Sequence, residues 1–278
     1  MKWNIVADSS CDLFDTDLSD PEIGFVTVPF VLQVGEREFL DDAGLSVPEM
    51  LDAMESTKSA ARTACPSPAR WMDAFGMADR CIGITIARNL SGSFDSANAA
   101  RQMLLAEDPS KEILLLDSCS TGPELILCIL KLRKWIKEGF DLSTIAEKAR
   151  IFLDKTRVVF ALSSFDNLVK NGRMNRLAGF AARTLGMWGI GIGSEIGEIR
   201  MKGKTRGGAG ALRLILADME ERGYTGGRMA ISHCQNEEMA RRLRKAVHDK
   251  WPESRVSIHA TRGLDSFYAE RGGLIAAY

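Results

Sequence analysis

The sequence predicts a two-domain α/β protein. An N-terminal α/β/α domain on a largely parallel sheet takes residues 1–156, and a C-terminal mixed α/β domain takes 157–278. Three observations predict this. Short apolar runs rich in β-branched residues alternate with segments of helical periodicity, the signature of a mainly parallel sheet. The runs at Lys2–Asp8, Ile82–Ile86 and Glu112–Asp117 lead into polar loops (Asp8-Ser9, Ser91–Ser93, Asp117-Ser118), which such a sheet gathers on one rim, where ligands bind. After Thr156 the pattern restarts with a fresh strand and a strand–turn–strand segment.

Taken in order, Lys2–Asp8 is a buried strand, and Gly24–Val34 is a β-branched, alternating strand that Gly35-Glu36 turns into Arg37–Leu40. Ser46-Val-Pro-Glu49 is a capping box with proline in the first turn, opening a helix over 47–57. Arg62–Pro66 is extended, because Pro66 and Pro68 hold Cys65 and Ser67 out of the helical region. Ser67 caps the next helix, with Trp71, Ala74, Phe75 and Ala78 as its inner stripe. The Ile82 strand turns at Asn89–Gly92 into a helix over 94–107. The strand Glu112–Asp117 precedes helices Pro123–Lys137 and Leu142–Lys155. In the second half, Val158–Leu162 is a strand, and Asp166–Leu185 is a helix broken at Asn171-Gly172. Gly189–Lys202 is two strands joined by a turn, and Ala209–Arg222 is a helix. Met229–Ser232, Glu237–Lys250 and Val256–Ala260 read strand, helix, strand, and Gly272–Tyr278 is a final strand.

The chain has 278 residues, 45% hydrophobic and 26% charged, with a formal net charge of -1. That balance argues against a polyanion-binding surface and so against nucleic acid. Six cysteines lie scattered, with no Cys-x-x-Cys pair, as expected of reduced thiols in a cytoplasmic protein. Asp8 interrupts the N-terminal apolar run too early for a signal peptide, and no run approaches a membrane span.

Ser91-Gly92-Ser93 carries the strongest chemistry. A strand ending there at the mouth of a helix leaves backbone N–H groups at the positive helix end beside two hydroxyls, a site for a carboxylate or phosphate. One Ser-Gly-Ser alone is more often only an N-cap. A second polar loop, Thr63-Ala-Cys-Pro-Ser-Pro, supplies further hydroxyls. Arg173, just past the Asn-Gly break, either stabilises a helix end or holds an oxyanion. Lys202–Arg206 is a small basic loop. Gly203-Lys-Thr205 is not a P-loop, because Glu198 stands where glycine is required. His233, His248 and His259 share no ligand spacing, so no metal is expected. A hydrolase using Ser91 or Cys65 lacks an evident base.

Together these segments resemble the DegV family, the fatty-acid-binding subunits of bacterial fatty acid kinase. Val6-Ala-Asp-Ser-Ser-Cys-Asp-Leu13 is similar to the family's opening Asp-Ser motif, and Val28-Pro-Phe30 with Asp41-Asp42 to its first hairpin. Arg62-Thr-Ala-Cys-Pro-Ser-Pro68 resembles Thr-Ser-Gln-Pro-Ser, and Leu90-Ser-Gly-Ser-Phe-Asp-Ser-Ala97 resembles Leu-Ser-Gly-Thr-x-x-Ser-Ala. Leu168-Val-Lys-Asn-Gly-Arg-Met174 matches Leu-x-x-x-Gly-Arg-Ile, and Lys204-Thr-Arg206 matches Lys-x-Arg. The resemblance implies a long-chain fatty acid enclosed between two domains, with no cofactor and no catalytic residue of the chain's own. Thr63, Ser91, Gly92, Ser93 and Tyr268 would surround the carboxylate. Arg173 would face the acyl-phosphate, and Arg206 would meet a separate ATP-binding kinase subunit. Two departures stand out. Ala64-Cys65 replaces Ser-Gln, and Tyr268 stands where the family's histidine supports the threonine. A phenol can donate a hydrogen bond but does not titrate near neutral pH. A binder of another amphiphilic carboxylate, without a kinase, is the alternative that Tyr268 motivates.

The energetics suit an enclosed tail. Some 14–16 methylenes at about 0.8 kcal/mol each give on the order of 12 kcal/mol gross, before association costs. A head left at a hydrated rim avoids the desolvation of a carboxylate. Candidate tail-lining residues are Phe25, Phe30, Met174, Leu177, Phe180 and Ile192.

Overall fold

The structure, a computed structural model, describes residues 2–57, 61–174 and 186–278. β1 (Trp3–Asp8) is buried from Asn4 to Asp8, as a strand covered on both faces must be. It runs into a 3-10 turn over Ser9–Cys11. β2 (Ile23–Val28) pairs parallel with β1. Pro29, with no N–H to offer a ladder, ends β2, and β3 (Val31–Val34) starts in another sheet, pairing with β4 (Arg37–Leu40). The sequence reads 24–34 as one strand; it is two, divided at this proline. α1 (Val47–Ser56) begins at the Ser46 cap, whose Oγ accepts the Glu49 N–H.

β5 (Ala61–Ala64) is the extended segment before Pro66, and it pairs antiparallel with β3. α2 (Pro68–Gly76) buries Trp71, Ala74 and Phe75. β6 (Arg80–Thr85), α3 (Ser93–Glu107) and β7 (Glu112–Asp117) complete a parallel four-stranded sheet of order β2-β1-β6-β7. α4 (Pro123–Lys137) is buried along most of its length and packs against β1 on one side and the second large sheet on the other. α5 (Leu142–Lys155) packs beside it.

The second large sheet has β8 (Val158–Leu162) near its centre. The short helix α6 (Asp166–Lys170) follows, then the hairpin of β9 (Met187–Gly193) and β10 (Ile199–Arg206). α7 (Gly208–Glu221), β11 (Arg228–His233), α8 (Glu237–Lys250) and β12 (Arg255–Ala260) come next. α9 (Gly263–Ala269), which periodicity did not reveal, precedes β13 (Leu274–Ala277). The sheet order is β10-β9-β8-β13-β11-β12, and only β11 and β12 run parallel.

Strands of the first two sheets all precede residue 118, and those of the third all follow 157. Packing nonetheless crosses that division. Phe30 and Leu32 share a buried cluster with Phe160, Leu162 and Phe267, while Ala230 and Ala277 join the cluster between the first sheet and α4. Arg262, 2% exposed, ties the halves together: its N–H donates to Asp12 Oδ1 (2.7 Å), and its guanidinium donates to Leu13 O and Asp41 O. Among the described residues, no helix is long and apolar enough to cross a membrane.

Candidate functional site

A cavity of ≈ 340 Å³ lies where the β5 end, the β6–α3 and β7–α4 loops, one face of β8, the segment after α6, and α9 come together. Its walls are mainly apolar, with Phe30, Ile86, Phe160, Leu162, Leu264 and Ile275 among them. Thr63, Ser91, Gly92, Arg173 and Tyr268 also line it, so the two hydroxyl-bearing loops predicted to converge share one chamber.

Local structure explains why. Thr63 sits in β5 opposite Leu32, and its hydroxyl lies 2.9 Å from the Tyr268 hydroxyl on α9. The chain after Thr63 is tied to α3, because Ser96 Oγ donates to Pro66 O (2.6 Å). The loops touch: a Cβ on Gly92 would stand 3.5 Å from Cys65 Sγ. Ser91 Oγ accepts the Ser93 N–H (3.2 Å), which leaves the Ser91 proton available to a ligand.

Ser93 is a correction. It is fully buried, is absent from the cavity wall, and donates its hydroxyl to Asp8 Oδ2 (2.6 Å). Asp8 also accepts from Ser10 Oγ (2.5 Å) and the Ile86 N–H (3.0 Å), so it pins together the ends of β1 and β6 and the start of α3. Burial pushes its pKa up, against these hydrogen bonds. The second serine of Ser-Gly-Ser therefore builds the loop, and the first serves the cavity.

Tyr268 packs edge-on against Phe267 (centroids 4.9 Å apart, 72°). Burial raises its pKa, only partly opposed by the Thr63 bond and the Arg173 charge, so it stays a neutral phenol. Arg173 follows Gly172, which takes φ +71° to end the α6 turn. Its Nε donates to Leu90 O (3.0 Å) and its Nη1 to Asn171 O, which fixes the guanidinium beside the Ser91 loop. Arg206 lies elsewhere. Exposed and paired with Met187, it occupies the far end of β10 from Ile199, the β10 residue that lines the cavity, about 24 Å along the strand.

Of the candidate tail-lining residues, Phe30 lines the cavity. Phe25 is buried in the core of the first sheet. Met174 is buried in the cluster that contains Phe160 but is not in the wall. Ile192 lines a neighbouring cleft of ≈ 1090 Å³, and Leu177 and Phe180 fall outside the described residues. The alternation Val158, Phe160, Leu162 was the available signal for the true wall, since these three share one face of β8. Gly191 makes room for them: a Cβ there would stand 2.2 Å from the Phe160 ring.

Sequence reading also missed a second polar group in the wall, Ser120, Thr121 and Asp265. Thr121 Oγ1 donates to Asp265 Oδ1 (2.8 Å). Asp265 Oδ2 and Asp12 Oδ2 both point at Gly122, 2.5 and 3.2 Å from where a Cβ would be. Gly122 takes φ +59° as the N-cap of α4, so both carboxyls lie at that helix's positive end. Burial nonetheless drives Asp12 up to about 7 and Asp265 well above its ordinary value; the Asp12 charge raises Asp265 further, while the hydrogen bond between them holds Asp12 lower. The pair therefore retains a proton at neutral pH.

None of the three histidines lines the cavity. Burial raises the Cys65 thiol, which lowers its nucleophilicity. Neither Ser91 nor Cys65 thus shares the cavity with a histidine base. Among the described residues, no three His, Cys, Asp or Glu side chains cluster to hold a metal.

The family model described as "Uncharacterised protein, DegV family" matches residues 2–274. A DegV domain-containing protein of Streptococcus pyogenes serotype M1 is 37% identical over 278 residues, covering 100% of this chain and 99% of the relative. The Streptococcus pneumoniae fatty acid kinase B3 protein, solved loaded with linoleic acid, superposes with a TM-score of 0.96 at 35% identity over 100% of this chain and 99% of that one. A DegV family protein of Eubacterium eligens loaded with heptadecanoic acid gives a TM-score of 0.94 at 34% identity, covering 99% and 98%.

Proposed function

The chain belongs to the DegV family, and from that premise we infer that it binds a long-chain fatty acid and presents it to an ATP-binding kinase subunit. The observation that carries this reading is the apolar cavity with Thr63, Tyr268 and Ser91 at one part of its wall. An acyl tail removes the apolar wall from water. The carboxylate accepts the hydroxyl protons of Thr63 and Ser91, with Gly92 beside them at the start of α3. Tyr268 donates to Thr63 and so polarises the Thr63 proton towards the anion. Arg173, held by Leu90 O, faces the same head and neutralises charge as a phosphoryl group arrives. Arg206, well away on β10, offers the partner subunit a cationic contact. The free state of all six cysteines fits a cytoplasmic protein.

Native mass spectrometry of gently purified protein tests the reading. The expected result is a bound acid, turned over to acyl-phosphate when a kinase subunit and ATP are added. Arg173→Gln should keep the acid and lose the turnover. An apo mass together with no uptake of added acid would overturn the assignment.

A further inference from the structure

The wall of a channel for plain hydrocarbon has no use for a buried carboxyl. Asp265, 4% exposed, lies in that wall beside Thr121 and Ser120, in a group separate from Thr63, Tyr268 and Ser91. Ser120 is 3% exposed, and its Oγ has no well-formed hydrogen-bond partner, although it stands near enough to Glu124 to oppose the rise that burial gives that carboxyl. Asp265 Oδ1 accepts one hydrogen bond, from Thr121, and retains a second lone pair. The group is built rather than incidental. Gly122 must lack a Cβ for the Asp265 carboxyl to fit, and the Gly122 N–H donates to Ser10 O (2.7 Å) to hold the loop.

We propose that Ser120, Thr121 and Asp265 form a second polar subsite that recognises a hydroxyl on the acyl chain, so that a hydroxylated long-chain acid is preferred over its unsubstituted parent. The inference rests on the fatty-acid reading above and names the class of acid within it. A hydroxyl serves both free functions at once, donating to Asp265 Oδ1 and accepting from Ser120 Oγ. A keto oxygen accepts only, leaving Asp265 without a donor. An ammonium would bring a charge into an apolar chamber. A methylene leaves Ser120 unmet, and burying an unmet hydroxyl is unfavourable.

The subsite lies near the carboxyl end of the ligand. Asp265 precedes Tyr268 on α9 by three residues, a rise of about 4.5 Å. In the neighbouring loops, Ser120 O accepts the Ala87 N–H (2.8 Å), and Ala87 O accepts the Ser91 N–H (3.2 Å), so Ser120 and Ser91 flank one residue. The hydroxyl therefore belongs on the proximal carbons rather than at the methyl terminus.

Displacement of cis-parinaric acid from the full chain, by hexadecanoic acid and its monohydroxy isomers from the 3- to the 16-position, tests this. A proximal isomer should bind about tenfold tighter than hexadecanoic acid, the effect of one well-placed hydrogen bond, and the 16-hydroxy isomer should show no gain. In Ser120→Ala and in Thr121→Val the ratio of proximal isomer to parent should fall towards one. The proposal is overturned if hexadecanoic acid binds but no proximal isomer exceeds it, or if the ratio survives both substitutions in folded protein. If neither the parent nor any isomer displaces the probe, the fatty-acid reading falls, and this subsite falls with it.

Discussion

Replacing Tyr268 by phenylalanine isolates one hydroxyl. The ring contact with Phe267, at 4.9 Å between centroids, is retained, so the substitution removes only the 2.9 Å bond to Thr63. That bond joins two neutral groups, for which a net value of about 1 kcal/mol is typical, or about fivefold in affinity. Thr63→Val removes the group proposed to meet the anion itself. A hydrogen bond to a charged acceptor contributes about 2 kcal/mol, so the loss should be about thirtyfold. Competition against a fluorescent fatty acid at neutral pH measures both, with melting temperature as the check on folding. Between pH 5.5 and 8, roughly, Tyr268 should add no pH dependence to binding, because a phenol does not titrate there, and any slope shared by Tyr268→Phe belongs to the Asp12–Asp265 pair. Tyr268→His should introduce a slope, tightening as the imidazole gains its proton below about 6.5. A Tyr268→Phe protein that is folded and binds within twofold of the native protein would refute the relay through Thr63. So would a Tyr268→Phe loss larger than that of Thr63→Val.

Two further outcomes follow from the geometry. Gly191→Ala places a methyl 2.2 Å from the Phe160 ring, which lines the cavity; the displaced ring should shrink the chamber, and isothermal titration should show long acids weakened more than short ones. The Asp12–Asp265 pair holds a proton that the unfolded chain has lost, with Asp12 raised to about 7 from an ordinary value near 3.8. The folded state therefore binds more protons than the unfolded state between about pH 4 and 7, and stability must fall as pH rises through that window. Urea denaturation across it should show the decline, and Asp12→Asn, whose amide donates to Asp265 permanently, should flatten it. A native protein that gains stability relative to Asp12→Asn over the same range would contradict the shared proton.

Much of the framework could be read from periodicity. β1, β6, β7 and the helices between them follow from apolar runs and caps, and Pro66 with Pro68 fixed the extended path that presents Thr63. Where reading failed, the missing information was tertiary. Gly24–Val34 alternates without interruption, and only the loss of one N–H at Pro29 sends its second half into another sheet. α9 is seven residues long and is anchored by the Gly263 and Leu264 N–H groups on Asp41 (2.8 and 2.9 Å), a partner more than two hundred residues away. Ser93 looks as available as Ser91 until Asp8 is seen to claim it. Asp265 gave no signal, because its partners Asp12, Thr121 and Gly122 lie on other elements. Tyr268, in contrast, was placed through the family motif, and its bond to Thr63 is the contact that its chemistry allowed.

β13 carries a consequence for how the molecule comes into being. Residues 274–277 insert between β8 and β11, whose own residues are made well before them. On a ribosome, β8 with its hairpin and β11 with its parallel neighbour must wait as two unjoined ribbons, each with a bare backbone edge facing the gap. Until Leu274–Ala277 have been synthesised, neither edge has its partner, and the wall that carries Phe160 and Ile275 is incomplete. A nascent chain of this protein thus reaches ligand competence only once Leu274–Ala277 have been made, and cleavage just before Leu274 should abolish the chamber while sparing the parallel sheet of the first half.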